Sequence, residues 1–316
     1  MFIIFLSAVL LVIWMEFRWI IHSIRKHYGK DIPPLWPKPL LRHKSILDIG
    51  LNVVFFLGAL CILYGRFIEP GWIEVKTIGL ESAKIDPTSA SIKIAHLSDF
   101  HFDERALNAE KIIQLVNKQE PDIVVITGDY FNDTSGFGLV GEVIKRLKAP
   151  FGIYMVKGNY DHMDTGINAV LAEAPATWLK HGYKDVMVRN TKLRLIGMDV
   201  GYEPLFDNLM GTLPQKAQDP YSVFLCHYSD FVYKASELGI DLYLSGHTHG
   251  GQVRLPFYGA MMTLAKFGKR FESGMYKVGD TILYVSRGLG VEGGIAPRVR
   301  FLCRPEIVVF EIGAGI

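Results

Sequence analysis

The sequence predicts an α/β domain of two packed sheets, set behind two apolar segments of membrane-spanning character. Three observations carry that expectation. Strand-like and helix-like hydrophobic periods alternate from Ser91 onward, and residues able to ligate a metal recur where five apolar runs end. Two stretches at the front, Met1 to Met15 and Ile49 to Tyr64, hold no charge at all.

The front of the chain comes first. Of 316 residues 49% are hydrophobic and the mean hydropathy is +0.21, enough for one large domain plus lipid-embedded segments. With their flanks the two segments cover about 2–21 and 47–68, and the second approaches the ~20 residues that cross a bilayer. A signal peptide is the other reading of the first, but its charge follows the apolar core and no small-residue cleavage pattern appears. Between them Arg25, Lys26, Lys30, Lys38, Arg42 and Lys44 face only Asp31, and Pro33, Pro34, Pro37 and Pro39 oppose helix. Such a basic loop (25–44) stays cytoplasmic, so the second segment carries the rest of the chain to the extracytoplasmic side. Residues 1–68 therefore read as a membrane anchor, 69–90 as a linker or entry segment and 91–316 as the globular domain. Without the loop's six basic and one acidic residues, 28 basic face 31 acidic, which speaks against a nucleic-acid partner. Cys61, Cys226 and Cys303 sit in apolar sequence and read as buried thiols, with one disulfide open to them in an oxidising compartment.

In the domain, Ser91 to Leu97 is a strand-like run. Ala109, Ile112, Ile113 and Val116 then mark one face of a helix. Asp122 to Thr127 is a continuous apolar run of buried-strand character. Val140, Val143, Ile144 and Leu147 repeat the helical spacing, and Phe151 to Val156 is the next strand. Asp99 to Asp129 and Asp129 to Asn159 are each intervals of 30 residues, the length of a strand and helix returning to a parallel neighbour. Three polar clusters should thus share the carboxyl edge of one sheet, where open α/β sheets bind ligands. Leu193 to Met198, Ser222 to Cys226, Ile240 to Leu244, Ile282 to Val285 and Glu306 to Ile312 add strands, enough for two sheets.

The clusters are Asp99 and His101, Asp129, Asn159, His227, and His247 and His249. Carboxylate, amide and imidazole without thiolate suit a pair of hard or borderline divalent ions, Mn2+, Zn2+ or Fe, better than a structural zinc. Asp129, on a turn after Gly128, is the best placed group to touch both ions. A pair of ions makes hydroxide available near neutral pH and holds phosphoryl oxygens, so phosphoester or pyrophosphate hydrolysis is the reaction class served. His96, inside a strand, reads as structural. Arg287 beside Gly288 reads equally as a phosphate contact or an ion pair. Residues Arg254 to Tyr276 read as a hairpin packed on the domain, or as an amphipathic rim that receives an acyl chain.

The series D-x-H, G-D, G-N-x-D, H and G-H-x-H resembles the calcineurin-like metallophosphoesterase family over roughly residues 91 to 313. S-G-H-T-H-G-G-Q-V-R-L-P at 245 to 256, F-G-K-R-F at 267 to 271, Y-V-S-R-G-L-G at 284 to 290 and P-E-I-V at 305 to 308 are similar to the YkuE and YaeI type of membrane-associated bacterial phosphoesterase. The resemblance implies a four-layer αββα sandwich of two mixed sheets at the bacterial cytoplasmic membrane. It implies Asp99, His101, Asp129 and His249 on one ion, and Asp129, Asn159, His227 and His247 on the other. The family pattern G-N-H-D becomes G-N-Y-D here, with His162 two residues on, so Tyr160 or His162 is expected to stand in for the family's substrate-contacting His. Asp161 is expected to orient a ligand. A membrane-proximal or lipid-linked phosphorylated substrate follows as the expectation. The alternatives are a UDP-2,3-diacylglucosamine pyrophosphatase of lipid A synthesis, whose substrate faces the cytoplasm, and a non-catalytic metal-binding membrane module.

Overall fold

In lipid a backbone satisfies its own polar groups as helix, and the uncharged front of the chain is helical: α1 spans Phe2–His27 and α2 spans Lys44–Leu63. The computed structural model describes residues 2–29, 40, 44–104, 108–163, 166–213, 220–263, 265–292 and 298–315, with the backbone alone at 2–13, 44, 162 and 163. The prolines of the basic loop lie outside the described residues. Among the described residues one helix is long and apolar enough to cross a membrane, Ser45–Gly71, with hydropathy 2.4. The expectation of two spanning helices is thereby narrowed to one apolar helix. The chain divides into Met1–Gly65 and Arg66–Ile316.

In the second unit the strands, in chain order, are β1 Glu74–Ser82, β2 Ile92–Leu97, β3 Ile123–Ile126, β4 Ile153–Met155, β5 Thr177–Trp178, β6 His181–Val188, β7 Thr191–Met198, β8 Tyr221–Cys226, β9 Leu242–Ser245, β10 Arg254–Leu255, β11 Gly259–Ala260, β12 Gly274–Val278, β13 Thr281–Val285 and β14 Glu306–Ala314. Its α-helices are α3 Ala109–Lys118, α4 Phe137–Arg146, α5 Asn159–Met163, α6 Ile167–Glu173, α7 Phe206–Gly211 and α8 Val232–Glu237. One sheet has the order β1-β14-β2-β3-β4-β5 and the other β12-β13-β9-β8-β7-β6; β10 and β11 form a separate hairpin. The 30-residue intervals are borne out: β2, β3 and β4 are neighbours and parallel. Segment 69–90 is more than a linker, because β1 lies inside it and pairs in parallel with β14 along its whole length.

Strand alternation makes the layers. Ile92, Ile94, Ile123 and Val125 of the first sheet meet Leu193, Leu195, Val223, Leu225, Leu242 and Leu244 of the second in one buried cluster. The intervening positions Ala95, Leu97, Val124 and Ile126 point the other way, onto Ile112, Ile113 and Val116 of α3 and Val140, Val143 and Ile144 of α4. On the outer side of the second sheet Ile196, Phe224, Tyr243 and Leu283 pack on Phe206 and Leu209 of α7 and Val232 and Ala235 of α8. The result is helix, sheet, sheet, helix. Each such apolar side chain contributes roughly 1.5–3 kcal/mol on burial, so central strands apolar on both faces hold the two carboxyl edges rigidly together.

Candidate metal centre

At those carboxyl edges the chain turns sharply, and the ligand-type residues occupy the turns. Asp99 (φ 52°), His101 (φ 45°), Asp129 (φ 55°), His247 (φ 71°) and His249 (φ 51°) all have left-handed backbone conformations. Each costs roughly 1–3 kcal/mol and persists only where surrounding contacts impose it, as functional sites do. Those contacts are visible. The Asp99 N–H donates to Gly128 O at 2.9 Å and the His101 N–H to Asp129 O at 3.1 Å, lacing the β2 and β3 loops together. A Cβ on Gly128 would stand 2.2 Å from Gly158 N, so only glycine lets the β3 and β4 loops approach this closely.

Six of the seven ligand-type side chains predicted from sequence converge. His249 Nε2 lies 3.1 Å from His101 Nε2 and 3.3 Å from Asp99 Oδ1. His227 Nε2 lies 3.2 Å from Asp129 Oδ2, 3.1 Å from Asn159 Oδ1 and 4.0 Å from Asp99 Oδ1. His101 Nε2 is 3.5 Å from Asp129 Oδ2, so Asp129 stands between His101 and His227. Asp99, His101 and His249 form one potential ligand group, and Asp99, Asp129 and His227 another. His247 is placed differently: its ring centroid is 5.2 Å from that of His227, and its N–H donates to Asp99 Oδ1 at 3.1 Å.

The proton arrangement tests whether this set fits cations. His227 Nδ1 is 2.7 Å from the carbonyl of Thr127, so that nitrogen carries a proton and Nε2 is the nitrogen a cation would take. Asn132 donates through Nδ2 to His101 O at 2.9 Å, which leaves its Oδ1 to accept from His101 Nδ1 at 2.9 Å. His101 Nε2 is likewise the nitrogen left for a cation, which would replace any proton there. Carboxylate oxygens, an amide oxygen and imidazole nitrogens face one another at 3.1–4.0 Å. First-row ions hold such ligands at ~2.0–2.2 Å, which sets ligand atoms roughly 3 Å apart. The donor set fits divalent cations, and the outer hydrogen bonds fix the tautomers such ligation requires.

The electrostatics agree. Burial opposes a charge on His227, yet Asp129 and Asp99 outweigh it and raise its pKa to about 10. His249 is held well below its ordinary value by burial and by the cationic His101 and Arg300. Burial raises Asp99, while in Asp129 burial is outweighed by His227 and His101, which hold it well below the usual carboxylate range. The field of two buried carboxylates calls for positive charge at the point where the nitrogens meet.

Asp161 orders the loops as expected. It accepts from the N–H groups of Asp129 at 2.6 Å, Tyr130 at 2.9 Å and Gly158 at 2.8 Å. Tyr160 packs edge-on to His101, ring centroids 4.8 Å apart, and its hydroxyl donates to Glu292 Oε1 at 3.0 Å. The side chain of His162 lies outside the described residues. Arg287 proves to be a structural ion pair, with Glu306 Oε2 at 2.7 Å and with Glu74. His96 is buried, its Nε2 2.8 Å from Thr127 Oγ1.

Three contributors escaped the sequence reading. Asn132, three residues after Asp129, sets the His101 tautomer. Glu292 places Oε2 3.9 Å from His249 Nε2, at the mouth of the cluster. Arg300, fully buried, donates to the carbonyls of Arg287 at 2.7 Å, Gly290 at 2.6 Å and Cys303 at 3.1 Å, fixing the loop behind His249. An invariable local cue exists for none of them, since each acts through tertiary placement.

Comparison with known proteins gives a consistent result. The family model described as calcineurin-like phosphoesterase matches residues 92–251. The metallophosphoesterase YkuE of Bacillus subtilis is 32% identical over 260 residues, 79% of this chain and 88% of that protein. The metallophosphoesterase YkoQ of the same organism is 28% identical over 76% of this chain and 90% of its own length. The phosphodiesterase YaeI of Escherichia coli is 28% identical over 79% of this chain and 92% of its own length.

Proposed function

The chain belongs to the calcineurin-like phosphoesterase family and is a metal-dependent phosphoesterase, and on that premise we propose that it works anchored in a membrane on a phosphodiester at or near the bilayer surface. Asp99, His101, Asp129 and His249 would hold one divalent ion, and Asp129, Asn159, His227 and His247 the other. Two such ions supply an acidified water and positive charge for the phosphoryl oxygens. The protein's own contribution is orientation: Asn132 and Thr127 fix the imidazoles, and Asp161 fixes the loops that carry Asp129 and Asn159.

One observation carries the diester reading. Where the family pattern has an imidazole, this chain has Tyr160, and its hydroxyl holds the Glu292 carboxylate against the mouth of the centre. A phosphomonoester carries up to two negative charges near pH 7 and a diester one. An extra unit charge ~5 Å from Glu292 costs roughly 1–3 kcal/mol between water and an effective dielectric of ~20, about five- to 150-fold in selectivity. Among the described residues, basic groups around the site are otherwise engaged: Arg287 with glutamates, Arg298 with Asp103, Arg254 with Glu272. The relative YaeI, named a phosphodiesterase, points the same way.

The test is Glu292→Gln with added Mn2+, comparing kcat/KM on bis-p-nitrophenyl phosphate and p-nitrophenyl phosphate. The ratio of diester to monoester should fall about tenfold; an unchanged ratio removes the diester reading. Tyr160→Phe should lower the same ratio less, and a loss confined to His162→Ala would move the role to that residue. Asp129→Asn should abolish both activities, which excludes the non-catalytic reading; activity retained in that variant would show that hydrolysis does not depend on this centre. The membrane reading rests on the Ser45–Gly71 helix and the basic loop before it. A topology reporter fused after Ile316 should read extracytoplasmic, and a cytoplasmic signal would favour the UDP-lipid pyrophosphatase instead.

A further inference from the structure

Three short stretches of the second unit meet side by side. The β10 residue Arg254 donates its N–H to Phe301 O at 2.9 Å, and Leu302 donates its N–H to Glu69 Oε2 at 2.9 Å. Arg304 Nε donates to Trp72 O at 2.9 Å, with its guanidinium 4.3 Å over the Trp72 ring. Residues 301–304 thus join the β10–β11 hairpin to residues 66–72, and Leu302 lines the same surface cleft as Phe257 and Tyr258.

The outward side chains of these stretches are apolar. Phe257 is entirely exposed, Phe67 is 71% exposed, and Ile68, Trp72 and Leu302 are about half exposed, with Tyr258 beside them. Monomers seldom leave contiguous apolar surface of this kind in water unless it meets a membrane or a partner. The backbone is strained to present it. Phe257 (φ 62°) and Leu302 (φ 52°) are bulky residues in the left-handed region, where an ordinary surface turn places glycine or asparagine. Cations flank the rings: Lys269 Nζ lies 3.3 Å over Tyr258, and Arg66 is 5.4 Å from Phe67.

We propose that these residues form a rim inserted in the interfacial layer of the bilayer, setting the metal centre at lipid headgroup level. This rests on the membrane-anchored reading above. Lipid is the occupant favoured over a protein partner because Phe67 and Ile68 belong to the apolar helix Ser45–Gly71 itself, so the rim continues a stretch built for hydrocarbon. Aromatic bodies paired with basic heads are the side chains that settle at the membrane–water boundary. The rim is also tied to the catalytic side: Arg254 donates to Gly250 O at 3.0 Å and Cys303 Sγ to His249 O at 3.1 Å. A phosphodiester in a lipid headgroup would reach the centre without its chains leaving the bilayer.

The experiment uses the full chain with Cys61→Ser, since Cys226 and Cys303 are buried. Nitroxide is attached at Phe257→Cys, at Leu302→Cys and, as control, at Met187→Cys on the exposed face of β6. The proteins are reconstituted in phosphatidylcholine–phosphatidylglycerol vesicles, and collisions with oxygen and with a water-soluble nickel chelate are measured by electron paramagnetic resonance. The oxygen-to-nickel ratio should be several-fold higher at 257 and 302 than at 187. A chain that floats with carbonate-washed vesicles while position 257 matches position 187 overturns the rim and leaves the anchor standing. A chain that fails to float overturns both. Should Leu302→Cys not fold, because Cys303 beside it supports His249, the label at 257 decides alone.

Discussion

Glu69 offers a local test of how the centre is held. Its carboxylate is fully buried and accepts the N–H of Leu302 at 2.9 Å and the N–H of Cys303, closing the 301–304 strip behind His249. Glu69→Gln keeps the shape but turns an amide N–H2 toward one of those donors. A hydrogen bond to a buried charge contributes about 1.5–3 kcal/mol, and the surviving bond loses its charge assistance at a cost near 1 kcal/mol. The strip should therefore open more easily by about 3 kcal/mol, which is roughly 100-fold in the open population. Cys303 reports that opening. Burial raises its thiol pKa and leaves it inert while the strip is closed. In the Cys61→Ser background, which removes the thiol of the apolar helix, no thiol of the native protein should react readily with Ellman's reagent, and Cys226 serves as the buried internal control. Glu69→Gln should make the Cys303 thiol react about 100-fold faster than without that substitution. If Cys303 reacts no faster while global stability falls, Glu69 does not clamp this strip and the account of the loop behind His249 is wrong.

The remaining predictions concern the sheet edge. Burial lowers the His96 pKa to about 3, because Thr127 Oγ1, which donates to Ser98, accepts from Nε2 and a second N–H at Nδ1 would have no acceptor. A histidine whose folded pKa lies below the unfolded ~6.5 stabilises fully above pH ~6.5 and loses that contribution as pH falls toward 3, on the order of 4 kcal/mol in all. In His96→Gln the melting temperature should decline less than in wild type between pH 6.5 and 4; parallel curves would refute the assignment. Gly128→Ala places a methyl 2.2 Å from Gly158 N at φ 93°, and should cost about 3 kcal/mol and strip bound Mn2+, read by unfolding and by metal analysis after gel filtration. Normal metal content in that variant would show that the close approach of the two loops is dispensable.

What could be read from sequence divides along a physical line. β2, β3 and β4 were legible because strands buried on both faces need unbroken apolar runs, and their ligands were legible because Asp99, Asp129 and Asn159 follow those runs directly. The same holds for His227 after β8 and for His247 and His249 after β9. Edge strands keep one face in water: β1 and β6 carry lysines with glutamates or an aspartate, and β12 carries Lys277, so they read as connection. β5 is two residues long and has no period to read.

Missing an edge strand had consequences at the site. Arg287 could be read as a phosphate contact only while Glu74 was taken for linker; once Glu74 is the first residue of β1, paired with Glu306 across the ladder, two carboxylates claim the guanidinium. The engagement of Arg287 removes the positive charge expected at the mouth, and Glu292 from the following loop puts a negative one there. Ligand identity is thus a local property of turns that end buried strands. Selectivity is set by which long side chains the edges and loops consume, and that balance exists only in the folded arrangement. A substitution on β1, far from any ligand in sequence, should therefore change substrate preference: Glu74→Gln loosens Arg287 and should raise monoester turnover relative to diester, whereas an unchanged ratio would confine selectivity to the loop that bears Glu292.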